Sequence, residues 1–131
     1  QTERDDTMHL PESGEMYLET ILILSQREGN VRSLDIAEYM SFSKPSVSRA
    51  VGLLKNGGYI NVDSDGYITL TEIGHEVADK IYERHRVLTK FLVQIGVDPE
   101  TAAVDACKIE HDISDTTLDA IKRHAEKSAH E

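Results

Sequence analysis

The stretch "SLDIAEYMSFSKPSVSRAVGLLKNGGYINVDSDGYITLT", residues 33–71, decides the fold, because its apolar period changes partway along. In "SLDIAEYM" (33–40), Ile36, Ala37 and Met40 fall on one side of a short helix, with Ser33 as its cap. "SFS" is a tight connection. "KPSVSRAVGLLKNGG" reads as a second helix: Pro45 suits a first turn, where a missing N–H costs nothing, and "NGG" closes it. Val47, Val51 and Leu54 recur on its inner side every three or four residues. From Tyr59 the period drops to two. Tyr59, Asn61 and Asp63 alternate with Ile60 and Val62, Ser64-Asp65-Gly66 makes a hairpin turn, and "YITLT" returns.

Upstream, Ser13 caps a helix expected from about Gly14 to Arg27, with Leu18, Ile21, Leu22 and Ser25 along one face and Glu28-Gly29 as its stop. Helix, helix, turn, helix and two-stranded ribbon, in that order, make a winged helix-turn-helix. Downstream the pattern is helical only. Thr71 caps a long helix, Glu72 to Ile95, whose apolar stripe is Ile73, Val77, Ile81, Leu88, Phe91 or Leu92, and Ile95. "GVDPE" breaks it, a helix follows from Pro99 to Ile113, and Ser114 caps a last one. The expected fold class is mainly α: an N-terminal winged helix-turn-helix followed by a helical domain. The expected boundaries are a flexible arm at 1–12, a DNA-binding domain at 13–72 and the helical domain at 73–131. The polar opening "QTERDDTMHLPESG" reads as that arm, in part a cloning remnant.

The chain's 131 residues suffice for a real core, and its net charge of −10 and pI near 5.0 would, as totals, argue against nucleic acid. The distribution argues otherwise. Between Tyr39 and Val62 there is no Asp or Glu, while Lys44, Arg49 and Lys55 all lie there. No run approaches the about 18 apolar residues of a membrane span, and no signal-peptide pattern is present. A single cysteine excludes an intramolecular disulfide and fits a reducing cytoplasm, the expected location.

In a helix-turn-helix the second helix enters the major groove with its N-terminal residues at the bases and phosphates. Here those are Ser43, Lys44, Pro45, Ser46, Ser48 and Arg49. Small hydroxyls allow close approach and bond phosphate oxygens, Arg49 can pair with guanine or phosphate, and Pro45 can touch a thymine methyl. Asp63 and Asp65 make the wing a poor electrostatic contact. Against this stands a fold used for protein contacts alone; DNA binding is the better reading.

The helical half raises a different question. "DACKIEH" (105–111) puts Cys107, Glu110 and His111 at i, i+3 and i+4. A free Cys is usually a small buried hydrophobe, and a Glu-His pair is usually solvated. Two features elsewhere change the balance. His85 sits within the apolar stripe, between Ile81 and Leu88, where a histidine must be hydrogen-bonded or liganded. "EMYLET" (15–20) places Met16 and Glu19 at i, i+3 on the first helix. Met16, Glu19, His85, Cys107, Glu110 and His111 are therefore the candidate metal ligands, although spacing alone cannot bring three helices together.

From "EMYLETI" through "VRSLDIAEYMSFSKPSVSRAV", "YITLTEIGHEVA" and "ERHRVLTKFLVQIGVD" to "DACKIEHDISDTTLDAI", about residues 14–121, the chain resembles the diphtheria-toxin-repressor and manganese-transport-regulator family. The resemblance implies a homodimer whose helical domain binds metal and dimerises, and a divalent ion that switches it to its operator-binding state. By position, Met16, Cys107, Glu110 and His111 match the primary site of the iron-responsive branch. Glu19 and His85 match ligand positions of the manganese-responsive branch, so the two patterns are mixed. Thr89 and Ala103 stand where the iron branch has further, ancillary ligands. The resemblance stops before the SH3-like third domain of longer members, so a short form without it is expected.

Thioether and thiolate are softer than carboxylate, which ranks Fe²⁺ ahead of Mn²⁺; other divalent transition metals are expected to bind in vitro. The expected partners are a palindromic double-stranded operator and a second copy of the chain, with no membrane. His9, His75, His124 and His130 read as exposed. Three rivals remain: a metal-independent winged-helix regulator, a structural zinc protein that a chelator would unfold, and an enzyme using Cys, Glu and His. No phosphate loop or nucleophile elbow accompanies the last.

Overall fold

The structure is a computed structural model that describes residues 12–130, in two compact units dividing between Asp79 and Lys80. The expected arm lies outside the described residues, save Glu12.

The first unit opens with α1 (Glu12–Glu28), which starts two residues before the expected position. Leu18, Ile21 and Leu22 are buried as their spacing predicts, and Leu24 joins them. Gly29 ends the helix at φ +89°, in the left-handed region that glycine enters without a Cβ clash, and its N–H donates to the Ser25 carbonyl at 3.0 Å.

Helix α2 (Ser33–Met40) corrects one expectation. Ser33 is its first helical residue and Arg32 takes the cap position. The stabilising contact runs the other way: the Arg32 N–H donates to Asp35 Oδ2 at 2.9 Å. Ile36 and Ala37 are buried, and Ser41, at φ 59°, turns the chain so that the Phe42 N–H reaches the Ala37 carbonyl at 3.1 Å. Helix α3 (Lys44–Asn56) has Ser43 as N-cap and Pro45 in its first turn, with Val47, Val51 and Leu54 buried.

Strands β1 (Ile60–Val62) and β2 (Ile68–Leu70) pair antiparallel in the register Ile60↔Leu70, Asn61↔Thr69, Val62↔Ile68. Ile60 and Ile68 face the core. Asp63 belongs to the turn: its Oδ1 accepts from the N–H groups of Asp65 and Tyr67, both at 2.9 Å. The Ile68 N–H donates to the Val31 carbonyl at 2.7 Å, tying the ribbon to the α1–α2 loop.

Thr71 then caps α4 (Glu72–Gln94), accepting from the Gly74 N–H at 3.1 Å and donating its hydroxyl to the Gly58 carbonyl at 2.7 Å. Gly74 lets the Tyr59 carbonyl approach closely; a Cβ there would lie 2.0 Å from that oxygen.

The second unit holds the rest of α4, with α5 (Pro99–Ile109) and α6 (Asp115–His130). Its core is Leu88, Ala106 and Leu118, flanked by Val87, Ile113 and Ile121. Asp98 caps α5 by accepting from the Thr101 N–H at 3.0 Å, and Ser114 caps α6 by accepting from the Thr117 N–H at 3.1 Å. The expected stripe on α4 holds at Ile81 and Leu88 but not at its ends, where Ile73 and Ile95 are exposed. Between them the buried position is Arg84, not His85, which is half-buried. Nor does α5 run on to Ile113. It stops at Ile109, and Glu110 to Asp112 form a turn. No helix among the described residues is long and apolar enough to cross a membrane.

Candidate metal centre and nucleic-acid interface

The candidate nucleic-acid face is built on the start of α3. Ser43, Lys44, Pro45, Ser48 and Arg49 are exposed, and Ser46 is half-buried. Two of the hydroxyls are engaged with each other: the Ser43 hydroxyl donates to Ser46 Oγ at 2.9 Å and accepts the Ser46 N–H at 3.3 Å. They order the first turn, which leaves Lys44, Ser48 and Arg49 as the outward polar groups. Phe42, just ahead of this turn, packs its ring on Tyr17 of α1, centroids 6.0 Å apart. Burial pushes the Tyr17 phenol above its ordinary pKa, and the positive charge of Arg49 works against that shift. The structure adds a pair that the sequence reading passed over. The Arg32 guanidinium lies over the Tyr67 ring, 4.4 Å from its centroid, beside the wing. Nothing in the spacing of 32 and 67 announces that contact.

The candidate ligands divide between the two units. In the first, Met16 is half-buried and Glu19 is buried, on consecutive turns of α1. In the second, three candidates meet. Glu110 has no exposed surface, and its Oε1 lies 2.8 Å from His85 Nδ1. Its other oxygen, Oε2, accepts no hydrogen bond and has His111 Nε2 3.4 Å away. The His111 side chain is 1% exposed. Cys107 is half-buried on α5, one turn before Glu110, and forms no disulfide. Of the other histidines, His75 and His124 are exposed as expected; His75 pairs with Asp79 at 2.8 Å, and His124 meets Phe91 edge-on. His9 and the side chain of His130 lie outside the described residues.

Chemically, a fully buried carboxylate with one oxygen lacking a hydrogen bond is costly unless something positive compensates it. Imidazole and carboxylate together form a donor set suited to a divalent transition metal. Glu110 and His111 therefore fit such an ion, with the His85 imidazole bonded to Glu110 beside them.

Sequence reasoning missed the residue that frames this cluster. Arg84 is 8% exposed, and its Nη1 donates to the carbonyls of Glu110 (3.1 Å) and Ile113 (2.6 Å). Its Nη2 donates to Asp115 Oδ1 at 2.5 Å, and Lys80 Nζ stands 3.7 Å from Asp115 Oδ2. The hydrogen bond from Arg84, then the Lys80 charge, hold the Asp115 carboxyl below the usual carboxylate range. The one available signal was an arginine three residues after Ile81 and four before Leu88, at core spacing.

Comparison with known proteins points the same way. Residues 9–68 match the iron dependent repressor N-terminal DNA binding domain, and residues 71–130 match the iron dependent repressor metal binding and dimerisation domain. The chain is 35% identical over 120 residues to an uncharacterized HTH-type transcriptional regulator of Methanocaldococcus jannaschii, covering 90% of this chain and 96% of that one. It is 34% identical over 111 residues to the transcriptional regulator MntR of Escherichia coli O157:H7, covering 85% of this chain and 72% of that one. The solved structure of the manganese regulator SloR superposes with a TM-score of 0.77 at 29% identity, over 86% of this chain. The matched part is 53% of the SloR chain, so this protein spans about half its length.

Proposed function

The chain belongs to the iron-dependent repressor family, and on that premise we propose that it is a homodimeric transcriptional repressor that binds operator DNA when loaded with Fe²⁺ or Mn²⁺ and controls metal-homeostasis genes. The observation that carries the metal half is Glu110: fully buried, flanked by His85 and His111, with one carboxylate oxygen that accepts no hydrogen bond. Divalent metal is the cofactor, and DNA and a second copy of the chain are the partners. The family is one of transcriptional regulators, which removes the motive for an enzymatic reading of Cys107.

The ligand set of this reading is Met16, Glu19, His85, Cys107, Glu110 and His111, and the DNA-contacting set is Ser43, Lys44, Pro45, Ser46, Ser48 and Arg49. Residues 13–72 read DNA, and 73–131 bind metal and dimerise. Met16 and Cys107 are soft donors, and on that ground we rank Fe²⁺ first. The likeness to a manganese regulator is the argument for Mn²⁺. A bound divalent cation supplies positive charge and directed bonds. Glu110 Oε2, which accepts no hydrogen bond, then has a positive partner, and the ligands are held in one arrangement. Because DNA spaces half-sites by about 34–36 Å or multiples of it, only some dimer geometries place both copies of α3 in successive grooves. The operator is accordingly palindromic. Switching requires that the DNA-competent state bind metal more tightly than the other, with a coupling of about 1–3 kcal/mol.

Selection from a random duplex library under anaerobic conditions, with Fe²⁺, with Mn²⁺ and with chelator, tests this reading. A palindrome enriched only with metal supports it and ranks the ions. Equal enrichment under chelator overturns the switch and leaves a metal-independent regulator.

A further inference from the structure

The turn that carries Glu110 and His111 has little regular structure of its own to hold it. Helix α5 ends at Ile109. Beyond it the Glu110 N–H reaches the Ala106 carbonyl at 2.9 Å, and the N–H groups of Asp112 and Ile113 both fold back on the Ile109 carbonyl. The carbonyls of Glu110 and Ile113 find their donor elsewhere, in the Arg84 guanidinium of α4. One planar fork thus holds both ends of the turn and the first residue of α6, through Asp115. The next residue on α4, His85, holds the Glu110 side chain. Glu110 is gripped by its carbonyl and by its carboxylate from two adjacent residues of one helix.

A buried arginine is an expensive way to fill a core position, since an aliphatic side chain would pack there without a desolvation cost. What the guanidinium supplies, and an aliphatic chain cannot, is a fixed conformation for residues 110–113. We propose that Arg84 is a positioning residue for metal binding: it holds the 110–113 turn so that Glu110 and His111 present their side chains as ligands. The inference rests on the metal-binding reading above and names what makes that site form. Groups that orient ligands from outside the coordination sphere commonly contribute 10–100-fold to metal affinity.

The test uses the full chain, titrated with Mn²⁺, with Co²⁺ as a spectroscopic probe of the ligand field. Arg84→Met keeps an unbranched apolar stem and removes the fork; it binds Mn²⁺ about 10–100-fold more weakly than the parent and shifts the Co²⁺ absorption bands. Arg84→Lys restores the charge without the fork, recovering part of the affinity with bands between the two. Should the methionine variant fail to fold, the lysine variant carries the test alone, through its weakened binding and displaced bands. Parental Mn²⁺ affinity and a parental Co²⁺ spectrum in the folded variants, whatever their melting temperatures, would overturn the proposal and leave Arg84 a structural residue. Glu110→Gln in the same titration separates the two layers. If it binds Mn²⁺ as well as the parent, the metal site itself is misassigned. If it alone loses binding, the site stands and the role of Arg84 falls.

Discussion

His85 Nδ1 and Glu110 Oε1 stand 2.8 Å apart, joining α4 to the turn after α5 across 25 residues of sequence. The pair joins a half-buried imidazole to a carboxylate with no exposed surface. Glu110→Gln keeps the shape of that side chain and removes its charge. The metal-free protein is expected to unfold at a denaturant concentration no lower than the parent, because the amide can still bond His85 Nδ1 in either tautomer while a buried charge is gone. Metal-dependent operator binding is expected to disappear. Urea titration and fluorescence anisotropy with a labelled duplex, with and without Mn²⁺, read the two effects separately. A metal response of parental size would sink the assignment.

Stability and DNA affinity are expected to separate at the start of α3. Ser43→Ala deletes the cap that the Ser46 N–H uses and should cost about 1 kcal/mol of stability. Arg49→Ala, at an exposed position, should leave the melting temperature within about a degree while weakening operator binding. If Arg49 meets a phosphate, the slope of log affinity against log salt falls by about 1; if it meets a guanine, the slope holds and selectivity relaxes. An unchanged affinity would remove Arg49 from the interface.

Two glycines in helices should respond oppositely to alanine. At Gly74 the new Cβ would meet the Tyr59 carbonyl oxygen at 2.0 Å, so Gly74→Ala must displace the backbone and should cost about 1–3 kcal/mol or more. At Gly52, on α3, nothing lies within 4 Å of the new atom, and Gly52→Ala should stabilise by about 0.4–1 kcal/mol. Urea midpoints of the two variants check the contrast, and a shift of the same sign in both would contradict it.

Acid should act through Asp98 and Asp115. The Thr101 N–H holds Asp98 below the ordinary carboxylate range, and Arg84, then Lys80, do so for Asp115. A carboxyl whose folded pKa is depressed takes up its proton first in the unfolded chain. Its stabilisation is complete above the unfolded value of about 3.9 and is lost as pH falls through the folded value. Asp98→Asn retains the cap and removes the titration. Its melting temperature should match the parent near pH 7 and fall less steeply toward acid. Parallel acid limbs would show that Asp98 does not contribute.

The DNA-reading half was legible because each of its elements is announced locally: Val47, Val51 and Leu54 by period, Ser43 and Thr71 by capping chemistry, Gly66 by the turn. The misplaced cap at Ser33 is a one-residue error among polar neighbours, since Asp35 supplies the acceptor from inside the helix. The centre was half-legible. The identities of His85, Glu110 and His111 drew notice, yet the end of α5 did not, because "KIEHDIS" contains no Gly or Pro to mark it. Arg84 and His85 illustrate the remaining difficulty. Positions 84 and 85 both continue a helical face from Ile81 to Leu88, and pattern alone favours the less charged residue for the interior. The arginine wins because three acceptors await it at Glu110, Ile113 and Asp115, and main-chain carbonyls leave no trace in sequence.

The bond from the Ile68 N–H to the Val31 carbonyl has a consequence for self-association. A ribbon of two three-residue strands has two outer edges, and an unpaired edge is a template on which another extended chain can pair. On the β2 side the outward N–H of Ile68 is already spent on Val31, so an incoming strand loses that donor. Pairing of another chain at Ile68 must first break the wing away from its loop.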